Sequence, residues 1–141
     1  MRQQMVRFEQ ITVAEIMHHT PLCIRAEASI SDVIEVMLNS TQDWYPVVDG
    51  SGAFRGIITL IDLLRSCFPM QDGDDYPNLQ AMFADKVGEL TGNEFTAVSP
   101  QDRISEVVLL MVKQQAHCLP VLEDGRYLGL VRLREIVKLM A

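Results

Sequence analysis

Apolar residues recur along the chain at two spacings, and each predicts an element. Ile30, Val33, Ile34, Met37 and Leu38 fall three and four apart, the stripe of a helix, and Ser29 stands where an N-cap belongs. Ile104, Val107, Val108 and Met111 keep that stripe in a second helix. Short apolar runs, Leu22-Cys23-Ile24 and Thr96-Ala97-Val98, predict a strand before each helix. After each helix come two strands joined by turn residues, Asp49-Gly50-Ser51-Gly52 or Glu123-Asp124-Gly125-Arg126. Pro46 and Pro120 sit at strand entrances, where a missing N–H is tolerated. Closing helices begin near Leu60 and Leu133, so the order β-α-β-β-α is predicted twice.

The two halves also match residue by residue. A shift of 74, from Pro46 to Pro120, carries Val13-Ala14-Glu15-Ile16 onto Val87-Gly88-Glu89-Leu90 and Ile30-Ser31-Asp32-Val33 onto Ile104-Ser105-Glu106-Val107. Beyond the turn the shift becomes 73, from Gly56 to Gly129, and Asp62 meets Glu135, so one residue is lost in a hairpin. The fold class is therefore α/β in the α+β sense, with a first repeat over 1–65, an insertion over 66–84 and a second repeat over 85–141. Each repeat alone leaves a sheet face and helix stripes uncovered. Packing about a pseudo-two-fold axis covers them and leaves a cleft between the repeats as the place for a ligand. In the insertion, Asn78 is placed to cap a short helix through Leu79, Met82 and Phe83, and Asp72, Asp74 and Asp75 read as a solvated loop lacking the ordered spacing of a calcium site.

Composition removes several function classes. With 141 residues, 48% of them hydrophobic and 22% charged, the chain can bury a continuous core. Its longest clean apolar stretch, Val107–Val112, falls far short of the roughly 20 residues of a membrane helix. Charges near the start argue against a signal peptide, and a cytoplasmic chain is the expectation. A net charge of −7 with scattered basic residues argues against nucleic acid. Cys23, Cys67 and Cys118 lie in apolar segments and read as buried, reduced thiols. Met37, Met82, Met111 and Met140 read as helix packing, and of Trp44 and Tyr45 at least one is expected in the core or an interface. His18 and His19 are adjacent near a helix end, face different ways, and make poor co-ligands for one metal.

The sharpest local signal is Gly56-Ile57-Ile58-Thr59-Leu60-Ile61-Asp62, where a strand runs directly into a helix. Two readings are open. Thr59 and Asp62 form a capping box that starts the helix, or the helix N-terminus and the carboxylate receive the phosphate and ribose diol of a nucleotide.

The doubled pattern, with Pro46-Val47-Val48-Asp49-Gly50 followed by Gly56 to Asp62, resembles a tandem pair of CBS domains, named after cystathionine β-synthase and also called a Bateman module. The resemblance covers nearly all of Thr12 to Met140 apart from the insertion. It implies clefts for adenosine-containing ligands such as AMP, ADP, ATP or S-adenosylmethionine, a regulatory role, and pairing into homodimers. It also implies that Asp62 holds the ribose, Thr59 the ribose or phosphate, and that Ile57 lines the base. Phe95 and Thr96 would lie near the adenine, and His117 would face the phosphate. In the other cleft Arg132 replaces Thr59, Glu135 replaces Asp62 and Asp43 replaces His117. An acid there opposes a polyanion by about 1 kcal/mol or more, so that cleft is expected to be empty or to serve something else. Arg132 either reaches the phosphate in the first cleft or pairs with Glu135 or another acid.

No nucleophile with its base, phosphate loop or Cys-x-x-Cys pair appears, so catalysis is not expected. The reading is a regulatory module sensing an adenine nucleotide, with an unidentified regulated protein as its further partner. The alternative is a dimerisation or interaction module without ligand.

Overall fold

Ser29 starts the first long helix as its hydroxyl predicts: its Oγ accepts a hydrogen bond from the Asp32 N–H at 3.1 Å. In the computed structural model, which describes residues 7–19, 22–67, 86–89 and 95–141, the labelled elements in chain order are α1 (Val13–Ile16), β1 (Ile24–Arg25), α2 (Ile30–Leu38), β2 (Trp44–Val48), β3 (Phe54–Thr59), α3 (Leu60–Cys67), a 3₁₀ turn (Val87–Glu89), α4 (Ile104–Gln114), β4 (Cys118–Glu123), β5 (Arg126–Arg132) and α5 (Leu133–Lys138). They form two compact units. The central unit is Leu22–Phe95, and the terminal unit is Met1–Pro21 together with Thr96–Ala141.

In the central unit β1 lies parallel to β2, Ile24 opposite Val47, and β2 pairs antiparallel with β3. Ile24, Ile30, Val33, Met37, Tyr45, Val47, Ile58, Leu63 and Val87 make its core, none more than 8% exposed. Along β3 the core residue Ile58 is flanked by half-buried Ile57 and Thr59, so the period of two puts Ile57 and Thr59 on the opposite sheet face.

The terminal unit repeats this arrangement position for position. β4 pairs antiparallel with β5, and the β1 equivalent shrinks to one parallel bridge, Val98 to Val121. Val98, Ile104, Val107, Met111, Leu119, Val121, Val131 and Ile136 are buried at the places matching Ile24, Ile30, Val33, Met37, Tyr45, Val47, Ile58 and Leu63. Even the irregularity recurs. Pairing slips between Val47 and Val48, where β3 moves from Gly56 to Phe54, and between Val121 and Leu122, where β5 moves from Gly129 to Tyr127. Each slip is a one-residue bulge, at Arg55 or Leu128.

The leading segments are exchanged. Val87 and Gly88 donate to the carbonyls of Ala28 and Ala26, both at 2.9 Å, within the central unit. In the terminal unit Val13 and Ala14 donate in the same way to Asp102 and Pro100, also at 2.9 Å. Val13 and Val87 are completely buried, so the segment that opens each sequence repeat completes the core built from the body of the other. The compact units thus change at Pro21/Leu22 and Phe95/Thr96, whereas the sequence repeats suggested boundaries at 65/66 and 84/85.

Several side chains depart from expectation. Leu38 is 80% exposed, because it follows Met37 by about 100° of helical turn at the end of α2 and passes the edge of the buried stripe. Cys23 is exposed and Cys118 only half-buried; Cys23 precedes β1 rather than belonging to it, since that strand starts at Ile24. Met140 lies beyond α5 and is half exposed, whereas Met37, Met111 and Tyr45 are core residues. Cys67's side chain, the Asn78–Phe83 segment with Met82, and Asp72, Asp74 and Asp75 lie outside what the structure describes.

Candidate functional site

β3 passes into α3 without a loop, which makes Thr59 the last strand residue and Asp62 the third of the helix. The Thr59 N–H and hydroxyl both donate to Asp62 Oδ2, at 3.0 and 2.9 Å, and the Asp62 N–H approaches Thr59 Oγ1 at 3.3 Å. This is the reciprocal capping box that the spacing allowed. It engages only one carboxylate oxygen. Oδ1 lies 4.0 Å from the mostly exposed Arg65 guanidinium, and the Asp62 side chain is 36% exposed. Among the described residues no hydrogen bond ends on Oδ1, so the box leaves an oriented, ionisable acceptor at the surface.

Ile57 shares a β3 face with Thr59 and is half-buried. Phe95 is partly exposed, and its ring meets Phe54 edge-on, centroids 4.7 Å apart at 90°. These residues belong to the central unit. Thr96, half-buried, and His117, exposed, belong to the terminal unit, where the His117 carbonyl accepts from the Leu133 N–H at 3.0 Å. Trp44, read from the sequence only as a packing candidate beside Tyr45, also belongs to the surroundings of Thr59. Trp44 lies directly opposite Thr59 in the β2–β3 ladder and is half-buried, within reach of Thr59's surroundings. Its place one position before the buried Tyr45 on a strand was the available signal, because alternation sends it to the face of Thr59.

The terminal unit fills the equivalent position differently. Arg132 Nε lies 3.0 Å from both oxygens of Glu135, and its terminal Nη2 donates to Oε1 as well. The Glu135 side chain is only 13% exposed. Burial pushes its carboxyl up, but the Arg132 hydrogen bonds and charge, with backbone N–H groups, outweigh this and hold it below the ordinary carboxylate range. Cys118, opposite Arg132 in the ladder, has its thiol pushed up to about 12 by burial, against a smaller lowering by Arg132. Among the described residues, no three His, Cys, Asp or Glu side chains stand together as a metal site. No described helix is long and apolar enough to cross a membrane.

The model of the CBS domain matches residues 13–68 and again 87–141. The chain belongs to the CBS domain family. A CBS-domain structure of a bacterial CNNM/CorC family Mg2+ transporter in complex with ATP is similar over 99% of this chain and 93% of its own, with TM-score 0.78 and 20% identity. The structure of CBSX2 in complex with AMP is similar over 90% and 93%, with TM-score 0.73 and 21% identity. An uncharacterised protein of Methanocaldococcus jannaschii is 23% identical over 128 residues, which are 91% of this chain and 42% of that protein. The CBS pair described here thus spans less than half the length of that relative.

Proposed function

We propose that this CBS pair is a non-catalytic regulatory module that binds an adenine nucleotide, AMP, ADP or ATP, or S-adenosylmethionine, with Asp62 as the ribose acceptor. The observation that carries this reading is the half-committed carboxylate: Thr59 fixes Oδ2, and Oδ1, at a helix start, has only the mostly exposed Arg65 guanidinium 4.0 Å away and accepts no hydrogen bond among the described residues. A vicinal diol supplies the two donors such an oxygen accepts. The first turn of α3 favours the phosphate side of the ligand, and Thr59, whose hydroxyl is given to Asp62 Oδ2, holds the ribose acceptor in place. Ile57 lines the base, with Phe95 near the adenine. The AMP and ATP complexes of the two similar CBS structures support this ligand class.

Titration with AMP, ADP, ATP and S-adenosylmethionine tests it. At 100 times Kd a ligand that binds only the native state adds about 2.7 kcal/mol, so the melting temperature rises measurably. Asp62→Ala removes the acceptor and abolishes the shift relative to the variant's own unliganded melting point. A ligand-dependent rise that survives Asp62→Ala removes the ribose assignment.

The exposed apolar residues of the closing helices favour a second reading, a dimerisation module. Leu60, Ile61 and Leu64 on α3, and Leu133 and Val137 on α5, are all well exposed, and such patches mark interaction surfaces. A homodimer through these helices is compatible with ligand binding. If no nucleotide shifts the melting temperature while sedimentation shows a dimer, the purely structural role stands.

A further inference from the structure

We infer that Arg132 acts as a built-in occupant of the second repeat's carboxylate position, so that the chain takes one nucleotide and not two. The inference rests on the reading of Asp62 given above. The two repeat-equivalent pairs differ in what the acid faces. At Thr59–Asp62 the partner is a short hydroxyl that uses one carboxylate oxygen and leaves the side chain 36% exposed. At Arg132–Glu135 the partner is a guanidinium that engages both oxygens, and the acid is 13% exposed. A bidentate fork of this kind supplies two parallel N–H donors to a carboxylate, which is also what a vicinal diol would supply. The protein has placed its own donors where a ligand's hydroxyls would go.

The chemistry of the side chain points the same way. Arg132 is the N-cap residue of α5, but a guanidinium has no acceptor for a backbone N–H, in contrast to the Thr59 hydroxyl facing the Asp62 N–H. A cation at a helix N-terminus opposes the helix dipole, so capping does not account for arginine at this position. Neutralising Glu135 does. The neighbour across the ladder, Cys118, remains a neutral thiol at ordinary pH and offers the guanidinium no competing anion. A ligand hydroxyl must displace a charged, bidentate donor from Glu135, whereas at Asp62 it meets an oxygen that accepts no hydrogen bond among the described residues and faces only the distant, mostly exposed Arg65 guanidinium at 4.0 Å.

Calorimetric titration of the full chain with AMP, on the wild type, Arg132→Thr/Glu135→Asp and Arg132→Met, tests this. The double variant restores the Thr-x-x-Asp pair; the single one unlocks Glu135 with an apolar side chain and guards against a folding failure of the first. Wild type is expected to bind one AMP per chain and the double variant two, with one site surviving when Asp62→Ala is added to the double variant. Two sites in the wild type, or no gained site in any folded unlocked variant, overturns the lock. No site in the wild type with one gained on unlocking removes the Asp62 reading and leaves the lock standing.

Discussion

Asp62 answers two demands with two oxygens: Oδ2 closes the helix cap and Oδ1 remains available. Glu135 spends both on Arg132. The terminal unit's stability consequently depends on pH at both ends. The Glu135 carboxyl is depressed by its partners, so its contribution is present above the unfolded carboxylate range and fades as pH falls through the folded value. The Cys118 thiol is raised, so its contribution is present below the unfolded value of 9.0 and is lost as pH climbs toward about 12. Urea midpoints measured from pH 3 to 11 are expected to fall at both limits. In Cys118→Ala the alkaline fall shrinks and the acid one persists. Thiol reagents at pH 8 are expected to label exposed Cys23 and to spare Cys118 while the protein is folded.

The hairpins show which glycines the fold requires. At Gly129 a Cβ would stand 2.8 Å from the His18 carbonyl oxygen, the partner in a bridge that carries Leu130 N–H to that oxygen at 2.9 Å. At Gly125 a Cβ meets nothing, but φ is +78°, and with Asp124 at +53° it forms the two-residue turn. Gly125→Ala is expected to cost about 1 kcal/mol from the left-handed backbone alone. Gly129→Ala is expected to cost more, since backbone and not a pliant side chain must retreat; chemical denaturation of the two variants ranks them. Much at this scale was legible in the sequence, because strand, helix and turn periods agree in both repeats. Leu38 and Cys23 were not, since their surroundings depend on where a helix overruns its sheet and where a strand begins. The site was half legible. Spacing announced Thr59 and Asp62 and offered the Arg132–Glu135 pair as one of two readings, but one carboxylate oxygen left over at Asp62, both taken at Glu135, and Trp44 across the ladder from Thr59 depend on side-chain geometry and strand register that spacing does not carry.

At the scale of the molecule, sequence repeats and compact units are different divisions of the chain. The repeat shift correctly paired Val13 with Val87, but periodicity carries no information about which body either residue fills. Val87 completes the central core and Val13 the terminal one. A fragment over 22–95 therefore contains every residue of the central core, while a fragment over 1–65 lacks Val87. The first is expected to unfold cooperatively and the second to melt without a sharp transition, as circular dichroism would show. Val87→Ala in the full chain should destabilise by about 1 kcal/mol or somewhat more, from lost burial and the void it leaves.

The exchange also sets an order of events on the ribosome. Residues 22–95 emerge as one uninterrupted stretch and can close their core while the rest is still being translated. Residues 1–21 belong with residues 96–141, so Phe8 and Val13 must wait, apolar and without a core to enter, until that second stretch has been made. Of the two bodies, the one that begins first is the one that finishes last.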